Sequence, residues 1–185
     1  MTPRRVAVLI SGRGSNLRHL VERAENYSVG LVASDRPEAP GLSWARDHAI
    51  PTFTRDVRAI GKAGWENMLD AALIDAGVEA IALAGYMRLL SAAFVARWQG
   101  RIVNIHPSLL PAYKGLDTHA RALAAGEAEA GCSVHLVTED LDDGEVLGRA
   151  RVPIRPDETA ESLAARVLAE EHRLYPRILS QWCAR

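Results

Sequence analysis

The sequence predicts an α/β fold: a mostly parallel sheet with helices on both faces and an antiparallel strand pair near its C-terminal end. Two observations carry this. Short apolar runs of strand length alternate with stretches of helical periodicity across residues 6–106. Further on, two strand-like runs at 133–137 and 146–154 are joined by a link too short for a crossover, which suits an antiparallel pair.

Residues 6–10 (VAVLI) are apolar throughout, as in a strand buried on both faces. They run into SGRGSN at 11–16, after which Leu17, Leu20, Val21 and Ala24 recur at helical spacing. A buried strand, a glycine-rich turn and a helix start together make a phosphate site, because free N–H groups and the positive helix end face the turn. Leu17 stands where a dinucleotide fingerprint has its third glycine, and no Gly-Lys-Ser/Thr follows, so this is not a P-loop. Ser15 and Asn16 offer short hydrogen-bonding side chains to a terminal monophosphate. The plainer alternative is a turn that only caps the helix.

Residues 29–33 predict a second strand, and Asp35 follows about where an acidic residue holds a ribose in a dinucleotide site. Residues 41–49 predict a short helix with Leu42, Ala45 and Ala49 on one side, and 51–53 a brief strand. Residues 61–77 predict a helix whose inward stripe is Trp65, Met68, Leu69, Ala72 and Leu73. Residues 78–84 form another apolar run, and Ser91 is an N-cap for a helix through Trp98.

The run RIVNIH at 101–106 places an amide, Asn104, and an imidazole, His106, two apart, hence on one face of a strand. Pro107 then ends the ladder, having no N–H to give. Polar side chains at the end of an apolar strand are a common way to present catalytic groups; the alternative is a strand end satisfied by nearby backbone. The turn at 11–16, the loop at 85–91 and the loop after His106 all fall at carboxyl ends of strands, where parallel sheets place ligands.

After a helix near 119–125, His135 reads as a hydrogen-bonded core residue, and Glu139, Asp140, Asp142 and Asp143 as a solvated turn without calcium-loop spacing. Asp157 or Thr159 caps a last helix carrying Leu163, Val167, Leu168, Leu174 and Tyr175, which Pro176 breaks or kinks.

At 185 residues the chain suits one domain, and its net charge of −1 offers no basic surface for nucleic acid. Cys132 and Cys183 form no close-spaced motif, and no stretch has the length of a membrane span. A cytoplasmic location is the expectation.

The spaced motifs SGRGSN, LAGYMRLLS, RIVNIHPSLLP, SVHLVTEDLDDG and EEHRLYP, in this order, resemble the folate-dependent phosphoribosylglycinamide formyltransferases over essentially the whole length. The resemblance implies a Rossmann-like formyltransferase fold spanning 1–185 as a single domain, with a phosphate-binding half at 1–100 and a catalytic and folate-binding half at 101–185. It implies formyl transfer from 10-formyltetrahydrofolate, as co-substrate, to the amine of glycinamide ribonucleotide in purine synthesis. No metal, nucleic acid or membrane is implied; the chain would act as a monomer or homodimer.

The same resemblance implies a catalytic trio of Asn104, His106 and Asp142. Amine attack on a formyl carbon creates an oxyanion that needs donors, which Asn104 and a protonated His106 supply. A carboxylate nearby favours the imidazolium, the part Asp142 would play. Gly14, Ser15 and Asn16 match residues holding the substrate phosphate, and Glu171 one contacting the glycinamide end. Met87, Arg88, Leu89 and Leu90 match one wall of the folate pocket. Thr138, Glu139, Asp140, Leu141 and Asp142 match the other, and Lys62 a basic residue near the folate. Arg13, in place of a small polar residue, and Asp143, in place of a frequent glycine, depart from the pattern.

Two relatives share the NIHPSLLP-type core. Methionyl-tRNA formyltransferase normally adds a C-terminal domain, and formyltetrahydrofolate hydrolase an N-terminal one. From other classes, a nicotinamide-binding protein would use Gly12, Gly14 and Asp35 but leaves the trio unexplained, and a non-catalytic ligand-binding module would keep the pockets without the trio.

Overall fold

The structure, a computed structural model, describes residues 2–185. Its seven strands are β1 (Arg4–Ile10), β2 (Tyr27–Ser34), β3 (Thr52–Thr54), β4 (Ala80–Leu83), β5 (Ile102–His106), β6 (Glu129–Leu136) and β7 (Val146–Pro153). They form one sheet in the order β3-β2-β1-β4-β5-β6-β7. The first five run parallel, and β6 and β7 pair antiparallel at one edge. The α/β fold class is the one the sequence predicts.

Strand alternation divides the core into two layers. On one face Val6, Val8 and Ile10 of β1 pack with α1 (Ser15–Glu22), α2 (Pro40–Asp47), α5 (Thr118–Ala124) and the long α6 (Ala160–Cys183). On the other, Ala7 and Leu9 meet Trp65, Leu69 and Leu73 of α3 (Val57–Asp75) and Phe94 and Val95 of α4 (Ala92–Arg97). Each fully buried Leu or Val contributes roughly 1.5–3 kcal/mol of transfer free energy, so both layers are needed to hold the central strands. Side-chain caps start three helices: Asp56 accepts from Arg58 N–H, Ser91 from Phe94 N–H and Thr159 from Ser162 N–H.

Three local expectations are corrected. The third helix begins at Val57, and Gly61 is a non-helical joint within it, at φ 70° and ψ 169°. Met68 lies outside the buried stripe of that helix, 39% exposed, because residues 65, 69 and 73 already fill the space under the sheet. Pro176 sits inside a helix that runs on to Cys183. A proline costs an interior helix one hydrogen bond and about 3 kcal/mol. Burial of Leu174, Tyr175, Ile178 and Leu179 around it, together with two hydrogen bonds from Tyr175, offsets that.

Candidate active site

The carboxyl ends of β1, β4 and β5 are neighbours in the sheet. Strands lie about 4.8 Å apart, so the β1 turn and the end of β5 are separated by roughly 10 Å. The glycine-rich turn, the 85–91 loop and the Asn104/His106 strand end are disposed along this edge.

At the β1 end, Gly14 adopts a left-handed conformation (φ 72°, ψ 37°) and α1 starts directly after it without a side-chain cap. Its first amides are left for an anion. The turn rests on α2: Gly41 N–H donates to the Gly12 carbonyl at 3.1 Å, and a Cβ on Gly41 would lie 2.4 Å from Ile10 Cδ1. Asn16 is buried, and its Nδ2 donates to Glu171 Oε2 at 2.7 Å. Asn16 Oδ1 is buried with no partner, an acceptor suited to a ligand O–H or N–H.

Glu171 is not the exposed helix carboxylate its sequence position allows. It is 7% exposed, and burial raises its pKa above the ordinary carboxylate value, against the lowering effect of Asn16. Arg13 is exposed, as is Lys62, which has no side-chain hydrogen bond or ion pair among the described residues. The structure does not bring Lys62 together with the trio.

At the β5 end, Asn104, His106 and Asp142 converge, and His135 joins them. His106 Nε2 lies 3.0 Å from the Tyr113 carbonyl, so this nitrogen carries the proton and donates it. That leaves Nδ1 facing Asp142 Oδ2 at 3.3 Å, with the two side chains only 7% and 8% exposed. Asp142 Oδ2 also accepts the Gly115 N–H at 3.0 Å. The loop at 113–115 therefore holds both groups, His106 through a carbonyl and Asp142 through an amide. Burial alone would raise the Asp142 pKa. The neighbouring His135 imidazole, the Gly115 N–H and the His106 imidazole outweigh it, and the net shift is downward.

His135 is opposite Asn104 in the antiparallel β5–β6 ladder. Its Nδ1 is 2.7 Å from the Leu136 carbonyl, which assigns the proton to Nδ1, and its Nε2 accepts from Asn104 Nδ2 at 3.2 Å. One Asn104 N–H is thus spent on His135, which fixes the amide and aims the other. The sequence assigned His135 to the core; only the strand register, which a single sequence does not print, brings it to the trio.

Residues 87–90 follow β4, between the two ends, and 138–142 follow β6. Met87 and Leu89 are 61% and 65% exposed on the β4 side and Leu141 is 51% exposed on the loop beyond β6. Leu90 is half-buried against the second core layer. Thr138, Glu139 and Asp140 are exposed, with Thr138 Oγ1 donating to the Asp140 carbonyl at 3.3 Å. Asp143 pairs with Lys114 across the mouth of the site. Asp35 is buried with both carboxylate oxygens engaged by protein groups, so it is not free for a ribose. Among the described residues, no group of three or more His, Cys, Asp or Glu is placed to hold a metal, and no helix is long and apolar enough to cross a membrane.

Residues 4–179 match the family model described as formyl transferase. The chain is 40% identical over 184 residues to the phosphoribosylglycinamide formyltransferase of Escherichia coli (strain K12), covering 97% of this chain and 86% of that protein. It is 44% identical over 184 residues to the trifunctional purine biosynthetic protein adenosine-3 of Drosophila melanogaster, covering 96% of this chain and 14% of that much longer protein. A crystal structure of phosphoribosylglycinamide formyltransferase from Brucella melitensis superposes with a TM-score of 0.94 at 46% identity, covering 100% of this chain and 97% of that one. The chain belongs to the formyl transferase family.

Proposed function

We propose that this protein transfers the formyl group of 10-formyltetrahydrofolate to the amine of N1-(5-phospho-D-ribosyl)glycinamide, releasing tetrahydrofolate, in purine biosynthesis. The observation that carries this is the Asn104–His106–Asp142 cluster on the same sheet edge as an uncapped, glycine-rich helix start. Relatives named for this activity support it. Residues 1–100 form the phosphate-binding half, which also carries the 87–90 wall, and 101–185 the catalytic and folate-binding half, within a single domain. Both substrates are small polar molecules, and a cytoplasmic location fits that reading.

In this mechanism the ribonucleotide phosphate sits on the amides of Gly14, Ser15 and Asn16. Glu171, anchored by Asn16, faces the glycinamide end. The folate lies between Met87–Leu90 and Thr138–Asp142. The amine lone pair attacks the formyl carbon, a C–N bond forms, and the carbonyl pair moves onto oxygen. The free N–H of Asn104 and the positive charge of His106 in its imidazolium form, held between Asp142 and the Tyr113 carbonyl, stabilise that oxyanion; a hydrogen-bond donor of this kind is worth roughly 10²–10³ in rate. The proton lost by the amine passes to Asp142, directly or through an ordered water, and on to N10 as the C–N10 bond breaks. Asp142 takes this part by position, with its Oδ2 3.3 Å from His106 Nδ1; its lowered pKa makes it a carboxylate that holds the proton only in passing before N10 takes it.

The test is an absorbance assay of folate release with and without the ribonucleotide. Release that depends on the ribonucleotide is expected. Release without it would indicate hydrolysis, and none in either case would reject the proposal.

A further inference from the structure

Asp35 has no part in the chemistry above, yet it is only 4% exposed and fully engaged. Its Oδ1 accepts from Ser11 Oγ at 2.6 Å, and its Oδ2 accepts from Arg88 Nε at 2.9 Å. The same Ser11 Oγ accepts the Met87 amide N–H at 2.9 Å, and the Ser11 N–H donates to the Gly85 carbonyl at 3.1 Å. Ser11 opens the phosphate turn, and residues 87–90 form one wall of the folate side. A single buried carboxylate and one hydroxyl therefore join two loops that serve different substrates.

The way the folate wall is held makes this junction necessary. Met87 and Leu89 point away from the core; only the flanking Tyr86 and Leu90 pack on the second layer, so burial does not fix residues 87 and 88 themselves. What holds residues 87 and 88 is the Met87 amide on Ser11 and the Arg88 guanidinium on Asp35. Hydrogen bonds to an ionised, buried acceptor are roughly twice as strong as neutral ones and sharply directional.

We infer that Asp35 is a positioning residue for both substrates: it sets the phosphate turn and the folate wall at a fixed separation, so that amine and formyl carbon meet at His106. This rests on the transfer reaction proposed above. Reactant placement is steeply coupled to rate, and a displacement of about 1 Å can cost a hundredfold.

The experiment uses the full-length chain with Asp35→Asn, Ser11→Ala and the pair together, read by amide hydrogen exchange and by steady-state kinetics. Asparagine keeps the size and one acceptor but turns an NH2 toward Arg88. Exchange in Asp35→Asn is expected to rise about tenfold in both 11–16 and 85–90, with the amides of β1, β4 and β5 unchanged. With both substrates saturating, kcat of Asp35→Asn is expected to fall about tenfold to a hundredfold while KM for each changes less, and the double variant to be no worse than the poorer single one. Faster exchange in only one segment, a lowered melting temperature with normal kcat, or additive effects would each overturn the inference. If the wild-type protein fails to turn over the substrates but the joint rise in exchange is seen, the proposed reaction falls and the tie between the loops stands.

Discussion

The two ends of the proposed site are built by opposite means. The proposed phosphate end is made of backbone: a left-handed glycine, uncapped amides, and a turn seated so closely on Gly41 that no side chain fits between them. Its two polar side chains, Asn16 and Glu171, are buried and bonded to each other. The proposed folate end is made of exposed side chains, Met87, Leu89 and Leu141, on segments held by a few polar contacts. The first is rigid before any ligand arrives and suits a small anion of fixed shape. The second offers apolar area and adaptable loops, which suits a large flat heterocycle.

Substitutions where the ends meet should have the largest effect. His106→Ala or Asp142→Asn is expected to lower kcat by about 10²–10⁴ while a folate analogue still binds in a direct titration. Loss of binding in step with loss of rate would mean the cluster belongs to the folate end alone. Next comes Gly41→Ala, whose Cβ would lie 3.1 Å from the Gly12 carbonyl and press on Ile10. The ribonucleotide KM should rise on the order of tenfold to a hundredfold, and by more than the folate KM. Equal changes in both would show that the phosphate end is not a separate rigid unit.

At the folate end, Leu89→Ala and Leu141→Ala should each raise the folate KM by roughly threefold to tenfold, about 1 kcal/mol of buried contact. Melting temperature should stay put, since neither side chain is packed in the free protein. A clear drop in thermal midpoint would contradict that picture.

The smallest effect concerns Glu171, whose folded pKa is raised by burial. Below its unfolded value of about 4.3, both states hold the proton and no charge is buried. As pH rises through the raised folded value, the wild type must bury a charge and loses stability, whereas Glu171→Gln does not. Melting curves at pH 4 and pH 8 should therefore show the variant gaining on the wild type with rising pH, while its ribonucleotide KM increases. A variant less stable than wild type at pH 8 would reverse the sign.

The same contrast explains what the sequence made legible. Periodicity marks β1, β4, β5 and the helices, because burial of alternate or every third to fourth residue is a local property. Gly14, Asn104 and His106 stand in short spacings whose chemistry can be read directly. His135 is legible as a hydrogen-bonded core residue and Asp35 as an acidic residue after β2, but their partners are not, because these come from register and from neighbouring loops. Glu171 looked like one more charged helix residue, since nothing in the local pattern EEH says that this carboxylate faces α1 rather than water. The unbroken helix at Pro176 and the exposed Met68 have the same origin: tertiary packing decided what local propensity left open.

The bond between Asn16 and Glu171 closes across 155 positions of the chain, and Tyr175, one turn further along α6, donates to the carbonyls of Leu83 and Val103. Contacts of such sequence separation carry a large loop-closure entropy and form late in folding. The ribonucleotide end is therefore expected to be the last part of the molecule to take shape, after the sheet has formed and α6 has docked. A ligand bound there would do little to hasten folding; its effect would be to slow unfolding.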